Sequence, residues 1–166
     1  VLEGSVLIEN NDLWGSKSIL SRVEKGQVFA ESYAFHKVPL MVDAIADEDS
    51  LILFLDVQRL MEEQNAQATW YCKMLKNLLL ISTKKNRNLS NRIFCTTSKT
   101  VRGRLAAFFS EQATKAGSNT FDIPFNRQQM ADYLNLDRSA LSKELGKMRE
   151  EGLLTFHKNH FSIKGF

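Results

Sequence analysis

Residues 126–151 read NRQQMADYLNLDRSALSKELGKMREE, and their pattern decides the C-terminal half of the fold. Asn126 is a helix N-cap residue type, and Met130, Ala131 and Leu134 behind it share one helical face. Asn135-Leu136-Asp137 predicts a tight turn, and Asp137 can cap a second helix. Leu141, Leu145 and Met148 follow at spacings of four and three, which is the apolar stripe of an amphipathic helix. Two short helices joined by a three-residue turn form a helix-turn-helix, with residues 131, 136 and 141 where the helices must touch. The opposite edge of the second helix carries Arg138, Ser139, Ser142 and Lys143 near its N-terminus. In DNA readers that end of the second helix enters the major groove, where Arg pairs with guanine and Ser serves several bases.

Working outward, Gly152 predicts the stop of the second helix. Segments 153–157 and 161–163 alternate around Lys158-Asn159-His160, which reads as a hairpin with a basic tip. Such a wing touches phosphates, positioning a protein without conferring sequence preference. Upstream, Thr96-Thr97-Ser98 offers a cap for a helix over 99–115 carrying Val101, Leu105, Phe108, Phe109 and Ala113. Gly117 ends it, and 121–123 form a short strand closed by Pro124.

From Val57 to about Phe94 the chain has neither Pro nor Gly. It reads as a short helix and then a long one, with a break at Asn65. Ala68, Cys72, Leu75, Leu79, Ser82, Asn86, Leu89 and Ile93 repeat at alternating spacings of four and three, a heptad seam interrupted by Ser82 and Asn86. This face either packs on its own domain or pairs with a second copy. A helix of ~25 residues is ~38 Å long, more than a small domain covers, which favours pairing. Trp70, Tyr71, Met74 and Leu78 lie on a neighbouring face, suited to packing on the N-terminal domain.

Residues 1–56 look like short strands at 5–8, 18–23, 27–29, 40–42 and 51–55, punctuated by turn residues at 10–12, 25–26 and 47–49. That spacing argues for an antiparallel sandwich or barrel. The chain opens on Val1, already in strand pattern and without an initiator Met, so an N-terminal piece of the first domain is expected to be missing.

The chain has 166 residues, 43% of them hydrophobic, and a net charge of +3. The charge is unevenly spread. Residues 1–60 hold five Lys/Arg against ten Asp/Glu, whereas 84–166 hold fifteen against seven. An acidic half joined to a basic one suggests that one end meets a polyanion, although a solvated basic face has the same composition. No stretch reaches the ~20 apolar residues of a membrane span and no signal-peptide pattern opens the chain, so a cytoplasmic protein with no membrane partner is expected. Cys72 and Cys95 are too far apart for a CxxC site, so no disulfide framework, metal site or cofactor is expected. The three His residues fall in no catalytic motif, there is no Gly-rich phosphate loop, and GxSxG and HExxH are absent. An enzyme is therefore not expected.

With these residues in hand, the chain resembles the Crp–Fnr family of bacterial transcription regulators over nearly its whole length, and FNRQQMADYLNLDRSALSKELGKMREEGLL (125–154) is the specific part. The resemblance implies an α+β architecture of three parts. Residues 1–64 would form a partial double-stranded β-roll, the cyclic-nucleotide-binding-like sensing domain. Residues 65–96 would form a long dimerisation helix, and 97–166 a winged helix-turn-helix. It implies a homodimer on palindromic double-stranded promoter DNA, with RNA polymerase as a further partner. Arg138, Ser139, Ser142 and Lys143 fall on the family's base-contacting positions, and Arg127 and Gln128 on its backbone contacts. The wing residue Lys158 joins them as a phosphate contact. Many members carry Glu where this chain has Ser139, so the preferred half-site is expected to differ. The alternative function for this fold is a winged-helix module that binds protein.

The sensing half departs from the family pattern. Its phosphate cassette corresponds to residues 29–42, where Glu31 is kept, Ala30 replaces a Gly and Leu40 stands where the phosphate-pairing Arg belongs. A cyclic phosphate needs a fixed cation or a nest of N–H groups; Leu40 supplies no charge, and Lys37 nearby lacks the guanidinium fork. Tight binding of cyclic AMP is therefore not expected. Glu31, Tyr33, Phe35, Leu40, Met41 and Trp70 are the candidate pocket for an unidentified small-molecule effector, or else core. His36 beside them is either a haem ligand or a loop histidine.

Overall fold

The structure is a computed structural model that describes residues 1–12, 15 and 17–164. It divides into two compact units, 1–84 and 85–166, and each is taken by itself.

In the first unit, β1 (Ser5–Asn11) is the central strand of an antiparallel sheet, flanked by β2 (Lys17–Glu24) and β3 (Asp43–Ala46) in the order β2-β1-β3. Val1, Val6 and Val23 form its core, with Ile8, Phe29 and Ile52 packed against them. A polar knot ties the strands together. Ser5 Oγ donates to Glu48 and accepts from Arg22, and Arg22 pairs with Asp47 at 2.7 Å.

Three expected strands do not form. Residues 27–29 are loop, and Val1 donates its terminal amine to the Gln27 carbonyl at 2.9 Å. Residues 40–42 have no ladder partner among the described residues, and 51–55 reduce to one isolated bridge between Leu51 and Glu3. β3 instead occupies Asp43–Ala46, where only Ile45 is a good strand former, because β1 supplies the partner (Val6 opposite Ala46, Ile8 opposite Ala44). Strand propensity measures fit to a neighbouring surface, so a ladder outweighs composition. The cassette stretch carries a helix that the periodicity did not reveal, α1 (Glu31–His36).

The helical segment begins with α2 (Val57–Leu60), capped by Asp56, and a 3₁₀ turn at Glu63–Asn65, where Asn65 donates back to the Arg59 carbonyl. The long helix α3 runs Tyr71–Thr97, starting later than expected and leaving Ala68 outside it. Tyr71, Met74, Leu78 and Ile81 are half-buried, whereas seam residues Cys72, Leu79, Leu89 and Ile93 are exposed. The boundary between the units falls inside α3, between Lys84 and Lys85. Side chains on the last turns of α3 hydrogen-bond and stack within the second unit, as described below.

In the second unit, α4 (Val101–Ala116) is capped by Thr100, whose hydroxyl accepts from the Gly103 N–H at 3.0 Å, so the cap lies two residues beyond Ser98. Gly in a helix costs ~1 kcal/mol relative to Ala. Here a Cβ on residue 103 would stand 2.1 Å from Ser98 Oγ, so a larger residue would make that side chain move. Next come β4 (Thr120–Asp122), α5 (Arg127–Leu134), α6 (Arg138–Glu150), β5 (Leu154–His157) and β6 (His160–Ile163). The strands form a sheet in the order β4-β6-β5. Their core is Leu105, Phe108 and Phe109 from α4, Met130, Ala131 and Leu134 from α5, Leu141, Leu145 and Met148 from α6, and Leu154 and Phe161 from the hairpin.

The two thiols differ in kind. Cys72 is exposed; Cys95 is buried, and burial with the Glu111 carboxylate beside it pushes its thiol up to about 12. Because the thiolate is the reactive form, Ellman's reagent at neutral pH is expected to leave Cys95 unreacted until the chain unfolds. Two fast equivalents would contradict this placement.

Candidate DNA-reading site

The helix-turn-helix is built by its caps. Asn126 and Gln129 form a reciprocal capping box: Asn126 Oδ1 accepts from the Gln129 N–H and Gln129 Oε1 from the Asn126 N–H, both at 2.9 Å. Asn135 closes α5 in the left-handed conformation (φ 52°), a region that Asn tolerates. Asp137 then accepts from the N–H groups of Ser139 and Ala140 at 2.9 Å and caps α6. Hydrogen bonds to its charged form, first from the Ser139 side chain, hold the Asp137 carboxyl below the usual range.

Two arginines, undistinguished in the sequence from their basic neighbours, fix this assembly to α4. Arg104 donates Nε to the Ser98 carbonyl at 2.8 Å, and Nη1 to the carbonyls of Leu134 (3.1 Å) and Asn135 (2.7 Å). It thereby satisfies carbonyls left over where α5 ends. Arg102 reaches Glu144 of α6 at 2.6 Å and both carboxylate oxygens of Glu151 at 2.7 and 2.8 Å. These bonds raise the Arg102 pKa above its ordinary value. Part of the basic excess in 84–166 is therefore structural.

The remaining cations converge. A cleft of about 580 Å³ is lined by Asn126, Arg127, Gln128, Arg138, Lys158 and Asn159, and contains no carboxylate. It joins the start of α5, the start of α6 and the wing turn, where Lys158 is left-handed (φ 52°). Arg127 is half-buried, 4.9 Å from the centres of both the Phe156 and Phe161 rings, and Nη2 donates to the Lys158 carbonyl at 2.9 Å. Its Nη1 is buried without a hydrogen-bond partner, and burial lowers its pKa. A guanidinium keeps its charge nonetheless, so this atom lacks an acceptor that an incoming anion could supply.

The expected site residues thus divide. Arg138, Ser142 and Lys143 are exposed along α6, and none has a side-chain hydrogen bond or ion pair among the described residues. The Ser139 hydroxyl donates to Asp137 and belongs to the cap, so its availability to a base is reduced. Gln128 is tied to Asp132 at 2.8 Å on its own helix. Arg127, expected simply on the backbone, also braces the wing. Asn126 and Asn159 join the site, where the sequence marked them only as cap and turn.

The expected effector residues are not enclosed. Leu40 is 62% exposed, Met41 79% and Trp70 42%. Glu31 and Tyr33 are half-buried on α1, and Phe35 is exposed. Residues 40–42 are coil where a strand was expected. The His36 ring nitrogen Nδ1 hydrogen-bonds the Ser32 carbonyl at 2.9 Å. Among the described residues no group of three or more His, Cys, Asp or Glu could hold a metal ion, and no helix is long and apolar enough to cross a membrane.

Residues 103–165 match the family described as the Crp-like helix-turn-helix domain. Within the C-terminal unit, this stretch is similar to Crp-like helix-turn-helix domains. Solved Crp–Fnr regulators share the fold of the whole chain. FixK2 from Bradyrhizobium japonicum is 21% identical, with 99% of this chain and 81% of that one covered and a TM-score of 0.73. The c-di-GMP-responsive global regulator CLP of Xanthomonas campestris is 16% identical, with 100% and 83% covered and a TM-score of 0.76. A CooA mutant from Carboxydothermus hydrogenoformans is 20% identical, with 99% and 72% covered and a TM-score of 0.78. No curated protein matches in sequence. The partial β-roll, long helix and winged helix-turn-helix of this α+β chain are therefore those of the Crp–Fnr fold, and the Crp-like domain holds every residue of the cationic cleft.

Proposed function

We propose that the chain is a sequence-specific, DNA-binding transcription regulator that works as a homodimer and answers to a signal other than cyclic AMP. The observation that carries this reading is the carboxylate-free cleft, where Arg127, Arg138 and Lys158 surround a space of about 580 Å³ beside the unengaged edge of a Crp-like recognition helix. A phosphate seated there would meet three cations and the N-terminus of α5, where the helix dipole favours anions. Arg138, Ser142 and Lys143 then face base edges in the major groove. The exposed seam of α3, with Leu79 65%, Leu89 55% and Ile93 56% accessible, is the surface for a second copy. Two copies present two recognition helices to half-sites ~34 Å apart. The effector would act by favouring one of two dimer arrangements. Its residues would include Glu31, Tyr33 and Trp70 on the N-terminal unit, and RNA polymerase would be the partner of the DNA-bound dimer.

The test separates reading from holding. From a randomised duplex pool the wild-type protein is expected to select a two-fold symmetric site. Arg138→Ala should lose ~1–3 kcal/mol at one base position of each half-site and relax preference there. Lys158→Ala should weaken all sequences alike and lower the salt dependence by about one phosphate contact per subunit. Unchanged affinity and preference in Arg138→Ala would remove α6 from the DNA-reading role.

A further inference from the structure

The last turns of α3 end on a partly buried carboxylate. Glu111 of α4 has 11% of its side chain exposed. Its Oε1 accepts from Asn91 Nδ2 at 3.1 Å and pairs with Lys115 Nζ at 2.6 Å, and its Oε2 accepts from Cys95 Sγ at 3.4 Å. Asn91 and Cys95 are one helical turn apart on α3, whereas Lys115 is one turn beyond Glu111 on α4. One turn of α3 is thus clasped through two donors, and the carboxylate's charge is met by a cation from its own helix. Nearby, the Arg92 guanidinium lies 5.3 Å from the Tyr133 ring centre on α5, which fastens the same stretch to the helix-turn-helix. The seam residues Leu89 and Ile93 are exposed on the same stretch of α3.

We infer that Glu111 is a positioning residue, locking residues 88–97 of α3 to the DNA-reading unit so that the distance between paired recognition helices is set by the seam of α3. The inference rests on the dimeric DNA reading proposed above. Its physical basis is rigidity. A recognition helix held to the dimer axis by a flexible joint would accept half-sites at several separations, because its orientation would cost little to change. One held by a partly buried, charge-assisted clasp fits a single separation, and a base pair inserted at the centre moves the half-site by ~3.4 Å and rotates it by roughly a tenth of a turn. Removing the clasp should therefore relax spacing selectivity without altering which bases each half-site prefers, a pattern that general loss of stability does not produce.

The experiment compares the wild-type chain with Glu111→Ala and, as a milder change on the α3 side, Asn91→Ala. The probes are the duplex selected by the wild-type protein and the same duplex lengthened or shortened by one central base pair. The wild type should discriminate at least tenfold against both altered spacings. The variants should bind the parent duplex more weakly yet discriminate less than threefold, with unchanged penalties for base changes inside a half-site. In the DNA-free protein, amide exchange over 88–97 should quicken tenfold or more in Glu111→Ala while α6 keeps its protection. Retained spacing discrimination in both variants, or unchanged exchange over 88–97, overturns the inference. A wild-type chain that selects no duplex overturns the proposed DNA reading instead, and the exchange measurement still decides whether the clasp exists.

Discussion

Replacing Leu89 and Ile93 together by Glu is expected to convert the proposed dimer to a folded monomer and to weaken binding of a palindromic duplex ~10²- to 10⁴-fold. Both side chains are more than half exposed in the single chain, so the fold of each unit loses little; surface changes are usually within ~0.5 kcal/mol. In a parallel pair the same residues face their own copies across the seam. The substitution then removes four apolar side chains from the interface and sets like charges opposite one another. The affinity loss follows from linkage of two sites: once one half-site is held, the second binds at a high effective concentration, and that advantage of ~10²–10⁴ disappears with the dimer. Sedimentation equilibrium checks the first part, and gel shift on full and half sites the second. A variant that still sediments as a dimer would show that the α3 seam is not the pairing surface.

Phe109→Ala should cost the C-terminal unit ~3–5 kcal/mol. Phe109 is completely buried, with ring centres 4.9 Å from Phe161, 5.8 Å from Phe108 and 6.3 Å from Phe121. It therefore joins α4 to the edge strand β4 and the central strand β6. The surrounding rings come from three elements and cannot collapse into the vacated space together, so the cavity term adds to the lost transfer energy. Phe94→Ala is the control, since Phe94 is 74% exposed in the single chain. Urea unfolding of the two variants at equal protein concentration checks the contrast. A Phe109→Ala midpoint within error of wild type would refute the placement of that ring in the core.

The helix-turn-helix was legible because its determinants are local. Asn126, Asn135 and Asp137 act on backbone groups within a few residues, and Leu141, Leu145 and Met148 occupy one helical face; all take the places their spacing implies. The hairpin was legible for the same reason. The strands of the first unit were less so, because a strand is completed by a distant partner. The apolar run at Leu51–Leu55 has a single bridge, whereas Asp43–Ala46 pairs with β1.

By itself, the sequence determined the helix boundaries of the reading head, the exposed edge of α6, and the apolar repeat along α3, since each follows from periodicity and short-range capping. Only the tertiary structure decided which arginines serve the fold and which remain for a polyanion. Arg102 and Arg104 are consumed by carboxylates and carbonyls 30 to 49 residues away, and Arg127 is held under the wing by the Lys158 carbonyl. It also decided that Glu111 clasps Asn91 and Cys95. Charge and side-chain type are properties of a residue, whereas the partner that uses them up is a property of the packing, and packing brings together groups that no local spacing relates.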